Sequence, residues 1–155
     1  DEEKAYHAQA QMTLSDSHKI GISLWSGDAV TYKKNMVGLH AVLGWTEKFY
    51  TLAEVDQVQT TVKNSNPSLD AQTKSIFQLL KIGYEYYKGI HFQFVQEWGN
   101  ANVETSQTEI KSAGLGMLWY PRPHLELEGL WTKRKMAGTS DKFEDFAYLL
   151  THFYF

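Results

Sequence analysis

IFQLLKIGYEYYKGIHFQFVQEW, residues 76–98, decides the fold. Ile76, Leu80, Ile82, Tyr84 and Tyr86 recur at every second position against Lys81, Gly83 and Glu85, with Gln78 the one polar residue on the apolar side. After the tight YKG the alternation resumes, with Ile90, Phe92, Phe94 and Trp98 against His91, Gln93 and Glu97, and with Gln96 on the apolar side. A period of two belongs to a strand, because successive side chains point to opposite faces of a sheet. Two such runs joined by a short glycine-containing turn predict an antiparallel hairpin.

The same period recurs in both directions along the chain. Upstream, AYHAQAQMTL sets Tyr6, Ala8, Ala10, Met12 and Leu14 against His7, Gln9, Gln11 and Thr13. IGISLWS, VGLHAVLGW and FYTLAEVD follow, the last two opposing Leu39, Ala41, Trp45, Phe49, Ala53 and Val55 to His40, Glu54 and Asp56. Downstream, AGLGMLWY carries Leu115, Met117 and Trp119 on one side, and LELEGLW sets Leu125, Leu127 and Trp131 against Glu126 and Glu128. AYLLTHFYF ends the series with Ala147, Leu149, Phe153 and Phe155 against Tyr148, His152 and Tyr154. Nine strands and an all-β fold are predicted, with residues 1–155 forming a single domain.

Composition narrows the class. Aromatic residues make up 14% of the 155, cysteine is absent and the formal charge is −3. A disulfide framework and thiolate metal sites are excluded, and a general nucleic-acid binder is not expected without clustered Lys and Arg. No run approaches the roughly 18 apolar residues of a membrane-spanning helix. A barrel escapes that test, since its strands show lipid only every second residue. The start, DEEKAY, is no signal peptide, so the expectation is either that one has been removed or that the chain begins inside a longer protein.

The connections alternate as the side chains do. SDSHK, TEK, YKG and PRP are tight, whereas SGDAVTYKKN, residues 59–74, GNANVETSQTE and KRKMAGTSDKF read as long polar loops. Short turns at one end and long loops at the other are the pattern of a transmembrane antiparallel up-and-down barrel. Charge placement orients it. Within the nine segments the apolar side carries no Asp, Glu, Lys or Arg, while the other carries Glu54, Asp56, Lys81, Glu85, Glu97, Glu126 and Glu128. A cation facing lipid at mid-depth costs about 2–4 kcal/mol, so the apolar side is expected to face hydrocarbon. Trp45, Phe49, Tyr84, Tyr86, Trp119 and Phe155 then fall near the short-turn end, and Trp98 and Trp131 near the long-loop end, as two interfacial belts with Phe153 also facing lipid.

The terminal THFYF resembles the β-signal of bacterial outer-membrane proteins, and GLGMLWYPRPHLELEGLW resembles the penultimate hairpin of large porin-like barrels with a tight turn at Pro121–Pro123. The resemblance implies a bacterial outer-membrane location and, through Phe153 and Phe155, recognition by the barrel assembly machinery. Nine strands would put Asp1 on the side opposite Phe155, whereas single-chain bacterial barrels have even strand numbers. The expectation is therefore the C-terminal part of a larger barrel, with a count of eight as the alternative.

Site chemistry is sparse. His7, His40, His91 and His152 fall on the polar side without ligand spacing, so no metal is expected. Ser23, His40 and Asp56 can be collected as a triad only without a nucleophile motif, so no enzyme is expected. Glu126 and Glu128, two apart on one face, read as lumen lining balanced by Lys81, together with Glu54, Asp56, Glu85, Glu97, His40 and His91. An acidic lumen favours cations. The expected function is a passive porin-like channel or its wall. A scaffold barrel holding a partner protein is the alternative, and no cofactor is implied, since no haem-attachment motif is present.

Overall fold

The computed structural model describes residues 4–138 and 142–154. Phe155 lies outside the described residues, and so do its expected places in the aromatic belt and the β-signal. Nine strands follow one another: β1 (Lys4–Ser15), β2 (His18–Asp28), β3 (Tyr32–Gly44), β4 (Phe49–Val62), β5 (Ala71–Tyr87), β6 (Ile90–Asn100), β7 (Glu109–Arg122), β8 (Leu125–Lys135) and β9 (Glu144–Phe153). Each pairs antiparallel with its neighbours in chain order, giving one meander sheet. The only helical turn described is Pro67–Leu69.

The pairing register supplies what alternation alone could not. Ala10 lies opposite Ile22, Ile22 opposite Leu39, and Leu39 opposite Val55. Farther along, Ile82, Phe94, Leu115, Trp131 and Ala147 form another row. Directly opposed residues share a face, so the apolar positions of all nine strands make one continuous surface. Leu43, beside the last residue of β3, sits in that second row with Ala147, six residues before the end of β9. The strands thus step past one another steadily, as tilted strands do.

The apolar surface is the exposed one: Leu39, Leu115 and Leu149 are 60%, 63% and 77% accessible. The opposite face holds the more buried groups, with Thr132, Gln93 and Glu126 at 3%, 5% and 8%. Among the described residues only Ala29, Val58 and Val95 are buried apolar side chains, so no apolar core stabilises the sheet from within.

Curvature is toward the polar face. Lys81 on β5 and Glu128 on β8 meet at 4.0 Å although β6 and β7 lie between them. Three strand spacings of about 4.8 Å separate their backbones, together with an offset along the strands, which two side chains could not bridge over a flat sheet.

The sheet is open. Among the described residues β1 and β9 have one neighbour each and do not touch one another, so the nine strands do not form a closed cylinder by themselves. The reason is directional: an odd number of antiparallel strands leaves the first and last running the same way, so they cannot complete an antiparallel ring. A second correction concerns the connections. Turns at one end take two or four residues, and three of the loops at the other take eight, but SGDAVTYKKN is no long loop. Only residues 29–31 connect β2 to β3, because Gly27 and Asp28 pair with Lys34 and Lys33.

Candidate functional site: the concave face

Register places all nine expected lining residues on the concave face. His40 opposes Glu54, Asp56 opposes Phe77, Glu85 opposes His91, and Glu126 opposes His152. Lys81, Glu97 and Glu128 fall on the same side through Val95, Ser112 and Leu118.

Several of these groups are held by partners. Tyr50 on β4 crosses Gly83 of β5, whose missing side chain makes the room, and its hydroxyl accepts a hydrogen bond from Gln93 Nε2 on β6 at 3.0 Å. The His91 ring stands edge-on to both Tyr50 and Tyr120, at 6.0 and 5.9 Å between centroids. Tyr154 donates to Glu126 Oε2 at 2.7 Å, and His152 Nδ1 lies 3.5 Å from Glu126 Oε1. Glu126 therefore organises the turn end of β8 and the residues that end β9. Its hydrogen bond with the Tyr154 hydroxyl, then loss of hydration, then its negative charge raise the Tyr154 phenol above its ordinary ionisation range.

Glu128 accepts from the Tyr148 hydroxyl at 3.3 Å and pairs with Lys81. Glu85 accepts from the Gly89 amide at 2.9 Å, closing the Lys88–Gly89 turn rather than standing free. In the β1–β4 half, Ser23 and Asp56 lean over Gly38 from both sides and His40 lies over Gly21. Among the described residues no hydrogen bond joins Ser23, His40 and Asp56, and Asp56 Oδ1 has no partner. A nucleophilic relay needs a hydroxyl bonded to a base and that base bonded to an acid. The three side chains share a face without that chain of bonds.

The observed strands are longer than the expected segments and change the charge balance. They add Lys19, Lys34, Arg134 and Glu144 to the concave face, leaving seven carboxylates against four cations. Arg134 stacks on Phe146, 3.9 Å above its ring centre. The face is also less uniformly polar than alternation suggested: Phe77, Tyr120, Phe146 and Leu150 are exposed on it.

On the convex face stand Phe49, Tyr84, Trp98, Trp119, Trp131 and Phe153. Trp45 and Tyr86 join them through Thr51, which accepts from Trp45 Nε1 at 2.9 Å, and through Phe92, whose ring is 5.9 Å from that of Tyr86. Trp131 is corrected in height. β8 runs on to Lys135, which leaves Trp131 near mid-strand rather than at the loop end. Among the described residues no three His, Asp or Glu side chains gather as a metal site. Comparison with protein-family models, curated proteins and solved structures finds no match to this chain.

Proposed function

We propose that this chain is the wall of an outer-membrane β-barrel that lets small solutes pass along its concave face, cations more readily than anions. The observation that carries the reading is the single exposed apolar surface running across all nine strands, backed by a face bearing seven carboxylates and four cations. In water such a surface would be a large exposed patch of the kind that marks an interaction site. Hydrocarbon satisfies its apolar positions, and the unpaired edges then require closure, because lipid offers no hydrogen-bond partner to a free strand.

The odd strand count says what closure takes. β1 and β9 run in the same direction, so an all-antiparallel ring needs an odd number of additional strands, giving an even total. A second copy in the same orientation would meet each edge in parallel and does not satisfy this. The expectation is further strands of one larger barrel, assembled by the outer-membrane machinery through Phe153 and Phe155. A second reading, a wall that holds a partner protein without conducting, draws on Phe77, Tyr120, Phe146 and Leu150, which give the concave face apolar surface to pack against.

Single-channel recording of the closed barrel, with the strands that complete it, in planar bilayers separates the two. Discrete current steps with a reversal potential favouring cations support the channel. Silence from protein shown to be folded supports the scaffold.

A further inference from the structure

At the turn end of the concave face, aromatic rings follow one another from β4 to the residues that end β9. Tyr50 meets His91 edge-on, His91 meets Tyr120 at 88° between ring planes, and His152 stands at 76° to Tyr154. The hydroxyls of Tyr120 and Tyr154 both turn to Glu126, which joins the two groups of rings. Edge-on contact leaves ring faces uncovered that stacking would hide, and Tyr120 and Tyr154 remain 42% and 50% accessible.

Glu126 supplies the charge. It is 8% exposed, and among the described residues its ion-pair partner within 4 Å is His152 rather than a lysine or arginine. Lys88 and Arg122 share a cleft with Tyr120 at the adjoining turns, whereas the groups that act on its hydroxyl are Glu126, Tyr154 and Tyr50. A buried carboxylate without a fixed cation favours a cation that comes near.

The hydrogen bonds already made decide which cation. Glu126 Oε2 accepts from Tyr154 at 2.7 Å, and Oε1 lies 3.5 Å from His152 Nδ1. Glu85 is held by the Gly89 amide, and Glu128 by Tyr148 and Lys81. A hard metal ion or a primary ammonium needs oxygen lone pairs, and would compete with these donors. What the site offers instead is negative charge beside ring faces, which suits a cation with no N–H to satisfy: a quaternary ammonium.

We propose that Tyr120, Tyr154 and Glu126, with His91 and Tyr50 beside them, bind quaternary ammonium solutes on the concave face; this names a solute class for the channel and rests on the reading of that face as the water-filled one. The test is calorimetric titration of the folded chain in non-ionic maltoside micelles with three probes. Choline carries the quaternary nitrogen, 3,3-dimethyl-1-butanol has carbon in its place, and ethanolamine carries a primary ammonium. Choline should bind about ten-fold more tightly than the alcohol and about three-fold more tightly than ethanolamine, within the range of a cation over partly desolvated rings. Y120F/Y154F keeps both rings and should hold choline affinity within about two-fold, whereas Y120A/Y154A should lower it about ten-fold. Should the alanine pair fail to fold, E126Q gives the same reading, with choline weakened toward the alcohol. Equal affinity for choline and either comparator overturns the proposal, and so does a loss in Y120F/Y154F as large as that in Y120A/Y154A. Cation-favouring current through the closed barrel without a choline preference would sink this site alone. A choline preference with a silent closed barrel would sink the channel and leave the site.

Discussion

Tyr50, Gly83 and Gln93 show how single residues set the concave face. The Tyr50 ring occupies the space that any Gly83 side chain would need, so G83V must displace the ring and break the bond to Gln93. Overpacking of this kind costs about 1–3 kcal/mol, read as a lower denaturant midpoint, and the loss should shrink by at least half when Tyr50 is already Ala. Glu126 offers a spectroscopic check. Because Glu126 holds the Tyr154 phenol in its protonated form, E126Q should let that phenol ionise at lower pH, nearer its ordinary range. Absorbance titration should show the Tyr154 transition, identified by its loss in Y154F, moving to lower pH. The sequence made the face of these residues legible but not their partnerships. Tyr50 meets Gln93 only because the register sets Gly83 between them, and no local pattern reports a contact made across an intervening strand.

At the scale of the strand, all nine elements were legible because each contains a stretch with one face apolar and the other polar. Their ends were not. Residues 59–62 of β4 and 71–74 of β5 continue the ladder where the sequence reads as loop, since QTTV and AQTK no longer alternate strongly enough. Beyond the apolar band both faces carry polar groups, and the signal used to find strands fades while pairing continues. The same effect hid the short β2–β3 connection, which is further tied down by Lys63 Nζ donating to the Ala29 carbonyl at 2.8 Å. Leu115, midway along β7 and 63% exposed, tests the face assignment one strand at a time. L115K should destabilise the lipid-inserted protein by about 2–4 kcal/mol, measured by equilibrium unfolding from vesicles. A change within about 0.5 kcal/mol, ordinary for a water-exposed position, would place that face in water.

For the molecule as a whole, the strand count and the curvature matter together. The sheet curves toward its acids but keeps two free edges that run in parallel. Since the chain lacks cysteine, introduced pairs report cleanly on closure. Q9C/S23C, opposed in the β1–β2 ladder, should oxidise to a disulfide within one chain. Q9C/L150C, which bridges β1 and β9, should not; a rapid intrachain bond there would mean that the nine strands close by themselves. The most direct measurement is of the medium each face meets. Spin labels at single cysteines replacing Leu39, Leu115 and Leu149 on the convex face, and Gln93, Glu97 and Tyr148 on the concave face, would be examined in vesicles by power saturation. The account predicts that the convex labels collide with dissolved oxygen and are shielded from a water-soluble nickel chelate, with the concave labels showing the reverse. Convex labels reached by the chelate, or shielded from both reagents inside a packed core, would contradict it.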